Sequence, residues 1–304
     1  ITREGYTFEG WYADSSFSGA PVTAISSTDI GNKEFYAKWG VNIYAVTLNT
    51  NGGAIASGKD ITSYTYGDSA TLPTTNDMTR DGYTFAGWYA DSSFSGTPVT
   101  EISSADMGNK EFYAKWDANL YAVTLNPNGG TIASGKDVIS YIYGDGAALP
   151  TANDMTREGY TFAGWYADSS FSGTPVTEIS STDMGNKEFY AKWGANLYAV
   201  MLNPNGGAIA SGKDVTSYTY GDGAALPTAN DMTREGYTFV GWYADSSFSS
   251  APVTEISSTD MGNKEFYAKW MRNTTPITPG DTVNYIVEHY KAGNNGYTLE
   301  ETEY

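Results

Sequence analysis

A chain of 304 residues with 35 acidic and 17 basic side chains, a single His and no Cys excludes several chemistries at once. At a net charge of −18, a nucleic acid or an anionic membrane surface meets repulsion instead of the counterion release that drives such binding, and without Cys there is neither a disulfide framework nor a thiolate metal site. No apolar run reaches the ~18 residues of a membrane span, and a chain that opens at Ile1 inside a repeat and stops at Tyr304 inside a new strand reads as a fragment, with signal and anchor outside it.

The first element is GYTFEGWYADSSFSG, from Gly5 to Gly19, and it returns with little change from Gly82, Gly159 and Gly236, each 77 residues on (5 to 82, 82 to 159, 159 to 236). A fixed period identifies the duplicated unit. It divides the chain into a partial repeat at 1–40, full repeats at 41–117, 118–194 and 195–271, a Thr/Pro linker at 272–282 and the truncated start of a different β module at 283–304.

Within the first full repeat, Tyr44 to Leu48 alternates large apolar with small or polar residues, the period of a half-buried strand. Asn51-Gly52-Gly53 supplies turn residues, and Ile61 to Tyr66, β-branched and aromatic, reads as the return strand of a hairpin with a long tip. Leu72 to Arg80 reads as an irregular connection around Pro73 and Asn76-Asp77. Tyr83-Thr84-Phe85 starts the next strand, where Trp88 has the wrong parity to share a face with Phe85. A bulge at Ala86-Gly87 would restore it, and glycine inside a strand is where a bulge belongs.

Asp91 to Gly96 reads as a loop, and Val99 to Ile102 as a short strand or single helical turn. In Glu111 to Trp116 the residues Phe112, Ala114 and Trp116 share a face, while Tyr113 and Lys115 look away. Lys115, with its copies Lys192 and Lys269, then serves as a solvated edge-strand lysine that guards against aggregation. Units this small are marginal on buried area alone, so the eight tryptophans, two in each repeat and two in the partial one, are expected to anchor the cores. The fold class is mainly β with little helix. With only Asp117 to Leu120 between one sheet and the next, a semi-rigid, monomeric rod follows better than loosely strung beads. Beyond the linker, Val283 to Tyr290 reads as a strand, Gly293 to Gly296 as a turn and Tyr297 onward as the return.

GYTFAGWYAD (Gly82 to Asp91) and EFYAKW (Glu111 to Trp116), preceded by YAVTLNTNGG and a YGD-x-x-x-LP segment, resemble the Listeria-Bacteroides repeat, also called the internalin B-type B repeat. The resemblance covers the partial repeat and all three full ones. It implies small β-grasp-like domains arranged as an elongated array in a bacterial cell-surface or secreted protein, at the envelope or outside the cell, where they space, display or help attach adhesive modules. The last segment, VNYIVEHYKAGNNGYTLEETEY, is similar to the opening of mucin-binding-type modules. The loops at Ala54 to Asp60 and Asn76 to Thr79 are longer than is usual in that family.

Several candidate chemistries fail on their residues. Leu72-Pro73-Thr74-Thr75-Asn76 imitates a sortase signal, but its copies from Leu149 and Leu226 read LPTAN and lack the second threonine. Asp91, Asp168 and Asp245 sit in Ser-rich loops without the spacing that converges six or more oxygens on calcium, so no metal or cofactor is expected. A Lys-to-Asn isopeptide bond would need Lys115 to point inward. Catalysis lacks a nucleophile and base pair, with His289 alone. Ligand binding remains, through outward tyrosines that could stack on host glycan or pack on an extracellular protein: Tyr64, Tyr66, Tyr113, Tyr141, Tyr143, Tyr190, Tyr218, Tyr220 and Tyr267. A structural stalk displaying other modules is thus the leading expectation, and a multivalent adhesin the alternative.

Overall fold

The computed structural model describes residues 1–274 and, beyond them, the backbone of two strands, Val287–Gly293 and Gly296–Glu303. These two pair antiparallel, as the reading of the last segment requires. The rest of the expected linker and terminal module, including residues 275–286, lies outside the described residues. The chain divides into two compact units, residues 1–194 and 195–304.

The partial repeat contributes an antiparallel pair, β1 (Tyr6–Tyr12) and β2 (Tyr36–Val41). The first full repeat follows as β3 (Ile43–Asn49), β4 (Ala54–Ile55), β5 (Ser63–Thr65), β6 (Ala70–Thr71), a 3₁₀ turn at Thr75–Asp77, β7 (Met78–Thr79), β8 (Tyr83–Tyr89), β9 (Glu101–Ile102) and β10 (Lys110–Ala118). Four of these strands form one sheet in the order β5-β3-β10-β8. The outer pairs are antiparallel, with Tyr44 opposite Tyr64 and Ala114 opposite Trp88, and the central pair is parallel, with Phe112 opposite Leu48. A parallel pair needs a long crossover. Here the crossover is built from two short ribbons, β4 with β7 and β6 with β9, and the 3₁₀ turn. The same sheet order recurs in the next two repeats.

The β3–β5 hairpin and the bulge are both present. Lys115 stands opposite Gly87 and Trp116 opposite Phe85, which leaves Ala86 as the extra residue. Gly87 has φ +135°, and a Cβ there would lie 2.8 Å from the Pro98 side chain. The kink brings Phe85 and Trp88 onto one face, edge to face at 5.5 Å, with Trp116 against Phe85 at 5.3 Å. Around them Val46, Tyr64, Leu72, Met78, Ile102, Phe112 and Ala114 complete the core.

Trp88 is 1% exposed, and its indole N–H donates to the Pro73 carbonyl at 2.9 Å, so the ring is buried without an unmet donor. Trp11, its counterpart in the partial repeat, is 40% exposed, because residues 1–40 contain no equivalent of Val46, Tyr64 or Leu72, and Ile1, which stands at the position of Met78, is itself exposed.

One expectation changes. The last strand is central: β3 flanks β10 on one side and β8 on the other, so Lys115 does not guard an edge. Its ammonium lies 5.5 Å from the centre of the Tyr89 ring. The connection from Leu72 to Arg80 is ordered by Asp77, whose carboxylate accepts from the Thr74 N–H at 2.8 Å and the Thr74 hydroxyl at 2.6 Å.

Candidate functional site

The nine tyrosines singled out as ligand-facing separate into three sets. Tyr64, Tyr141 and Tyr218 are core residues, 5%, 3% and 3% exposed, which corrects their assignment to an outer face. In β5 the tyrosine points inward, its ring 5.4 Å from that of Tyr44, and its hydroxyl donates to the Gly108 carbonyl at 2.8 Å. Tyr141 and Tyr218 make the same bond to Gly185 and Gly262. Burial raises the pKa of all three phenols.

Tyr66 and Tyr143 belong to joints between repeats. β2 and β3 are separated only by Asn42, and β10 is separated from the next strand, Leu120–Asn126, only by Asn119. The backbone of Asn119 reaches both ways: its N–H donates to the Gly82 carbonyl and its own carbonyl accepts from the Tyr143 N–H, each at 2.9 Å. Its side chain does the same, accepting from the Thr84 hydroxyl at 2.6 Å and donating to the Tyr121 hydroxyl at 3.3 Å. Over this joint lies the Tyr143 ring, edge to face with Tyr83 at 5.3 Å. It rests on Gly82, where an added Cβ would meet it at 2.4 Å. The Arg80 guanidinium covers Tyr83, 3.9 Å from its ring centre.

The preceding joint repeats this arrangement, with Asn42 bonded to Gly5, Thr7, Tyr44 and Tyr66, and with Tyr66 against Tyr6 at 5.8 Å. In the third full repeat the Tyr220 N–H donates to Asn196 at 2.9 Å.

The sequence reading missed these asparagines because Asn119 falls in what looks like a linker. The available signal is their spacing: Asn42, Asn119, Asn196 and Asn273 keep the step of the repeat.

The third set, Tyr113, Tyr190 and Tyr267, is half-buried on the outer face of β10 and its copies. Each phenol is held to the neighbouring Glu111, Glu188 or Glu265, which raises its pKa. The same Glu accepts from Asn49, Asn126 or Asn203 at 2.8, 2.9 and 2.8 Å. The result is one Asn, Glu and Tyr row per full repeat.

The Ser-rich loops are closed on themselves. Asp91 accepts from the N–H and hydroxyl of both Ser93 and Ser95, which lowers its pKa to about 2; Asp168 is lowered to the same value by Ser170 and Ser172. That closure places Phe94 at φ +59° with its ring edge to face on Tyr89 at 5.7 Å. Among the described residues no three His, Cys, Asp or Glu side chains are grouped to hold a metal ion. The sortase-like stretch is folded into the core: Leu72 is buried and the Pro73 carbonyl is taken by Trp88. No described helix is long and apolar enough to cross a membrane.

A family model for the Listeria-Bacteroides repeat domain matches residues 1–38, 44–115, 121–192 and 198–269. Two proteins of Evansella cellulosilytica are similar over most of the chain. One, provisionally named a Gly-rich membrane protein, is 31% identical over 91% of this chain and 30% of its own length. The other, provisionally named a membrane protein, is 30% identical over 94% of this chain and 43% of its own. The chain therefore spans less than half of either relative. Internalin H of Listeria monocytogenes is 30% identical over 44% of this chain and 23% of its own length. No solved structure matches.

Proposed function

Because the chain belongs to the Listeria-Bacteroides repeat family, we propose that it is the structural repeat region of a bacterial surface or secreted protein, a semi-rigid stalk that displays other modules. The observation that carries this reading is the single-residue joint. A linker of one asparagine, hydrogen-bonded in both directions through backbone and side chain, has little of the freedom that lets linked domains swing. Stacked units of this kind share stability with their neighbours, as repeat proteins do. Small-angle scattering on chains of one, two and three full repeats tests it: a stalk gains a fixed increment of maximum dimension per repeat. Growth with the square root of repeat number, the scaling of a flexible chain, would defeat the proposal.

A second reading, an array that binds host glycan or protein weakly at each repeat, now rests on Tyr113, Tyr190 and Tyr267. The row formed with Glu111 and Asn49 offers an aromatic edge, a carboxylate and an amide, groups suited to a sugar. Glycan and matrix-protein arrays probed with the intact chain and with Tyr113→Ala, Tyr190→Ala and Tyr267→Ala combined decide it. A signal lost with the substitutions supports adhesion, and silence from the intact chain removes it.

A further inference from the structure

Gly5 and Gly82 are buried, each under a tyrosine ring of the repeat that follows; a Cβ would meet Tyr66 at 2.1 Å and Tyr143 at 2.4 Å. Gly236, the same position in the last full repeat, is exposed, and a Cβ there would meet none of the described residues within 4 Å. The rest of the joint is nonetheless assembled. The Asn273 N–H donates to the Gly236 carbonyl at 2.9 Å, and the Thr238 hydroxyl donates to the Asn273 side chain at 2.6 Å. Arg234 covers the Tyr237 ring at 4.0 Å. These are the contacts that Asn119, Thr84 and Arg80 make at the closed joint.

What differs is the continuation. After Asn119 the chain reads Leu120-Tyr121-Ala122 and enters the next sheet, whereas after Asn273 it reads Thr274-Thr275-Pro276. Proline has no N–H to give to a strand ladder, and the residues after it do not repeat the sequence of the leading hairpin that closes the joint at Asn119. The closed joint also specifies what fits. The occupant needs a tyrosine at the end of a short strand, with its N–H directed at the carbonyl of the asparagine and its ring laid on the bare glycine.

We propose that Gly236, Tyr237 and Asn273 form a docking site for the leading hairpin of a repeat of this same type on another polypeptide. The contact is heterologous, one surface meeting a different one. The donor must be a repeat whose own leading face is uncovered, because Tyr66 of this chain is already seated on Gly5.

Residues 43–117 enclose a complete core of their own and present Tyr66 without its partner, so they serve as the probe. The experiment is a titration of the isotope-labelled repeat 43–117 with the unlabelled full chain, followed by amide chemical shifts up to millimolar concentration. Saturable shifts confined to Ile43 to Ala45 and Ser63 to Gly67 are expected. They should vanish for a Gly236→Val chain and for a Tyr66→Ala repeat, and persist for a Tyr113→Ala repeat. The Tyr66→Ala comparison leaves the chain itself unaltered, so it stands even if Gly236→Val disturbs the last repeat. Absence of shifts, or shifts indifferent to Tyr66→Ala, overturns the proposal. So do shifts that appear only when the chain is ended at Asn273, since the site would then belong to this chain's own last residues.

Discussion

Replacing Tyr143 by alanine should uncouple the first two full repeats while leaving both cores intact. The ring is half-buried and lies outside the cluster around Trp165, so its loss opens no cavity there. A tyrosine buries roughly 150–250 Å² when fully covered; half of that, about 100 Å², is worth about 2.5 kcal/mol at ~25 cal/mol per Å². The edge-to-face contact with Tyr83 at 5.3 Å adds about 0.5–1.5 kcal/mol. Part of the covered surface faces its own repeat, so the coupling lost is about 2–3 kcal/mol. The assay is calorimetry on residues 41–194. The parent should melt in one transition above that of residues 41–117 alone, and the variant as two nearly independent repeats. For units of this size each kcal/mol moves the midpoint by about 4–8 °C, well within measurement. A variant that melts like its parent, or a parent that melts like an isolated repeat, refutes the coupling.

Two further outcomes follow from the cores and loops. Trp88→Ala should cost its repeat about 3–5 kcal/mol, the usual loss for a large aromatic in a core, and strand the Pro73 carbonyl; urea unfolding of residues 41–117 measures it, and a loss below 1 kcal/mol would contradict the burial. Asp91 is held at about 2 against an ordinary 3.8, chiefly by the Ser93 and Ser95 hydroxyls. Since the folded value is the lower one, its contribution to the loop is complete above about pH 4 and disappears as pH falls through about 2. Carboxyl NMR titration should show that midpoint and a rise on Ser93→Ala; an unshifted Asp91 in the parent would dismiss the loop hydrogen bonds.

How much of this was legible in the sequence depends on the distance over which each feature is decided. The bulge was readable because it is local: Phe85 and Trp88 cannot share a face without an extra residue, and Gly87 marks the place. The faces of β10 were readable for the same reason, since Phe112, Ala114 and Trp116 alternate with Tyr113 and Lys115. Strand order was not, because the parallel pairing of β10 with β3 joins residues more than sixty positions apart, and nothing in EFYAKW shows that it lies inside the sheet. Tyr64 illustrates a further limit. Period-two alternation states which residues share a face, but in Ser63-Tyr64-Thr65-Tyr66 it cannot say which face is the core. The structure gives Tyr64 to the core and withdraws Tyr66 from the strand to the joint.

The joint has a property that separates backbone from side-chain coupling. Asn119 couples the repeats partly through its own N–H and carbonyl, and these work only while β10 and the strand Leu120–Asn126 keep their registers around one intervening residue. Inserting Ser-Gly between Ala118 and Asn119 removes no side chain, but it displaces Asn119 N–H from the Gly82 carbonyl and carries Tyr143 off Gly82. If the backbone sets the joint, this insertion should abolish as much coupling in residues 41–194 as Tyr143→Ala, or more, while amide spectra of both repeats away from the joint stay unchanged. If the aromatic contact alone sets it, the longer linker should let Tyr143 settle back onto Gly82 with most of the coupling restored. Calorimetry on the insertion beside Tyr143→Ala distinguishes the two, and recovery of a single high transition by the insertion would refute the assignment of rigidity to the strand running through Asn119.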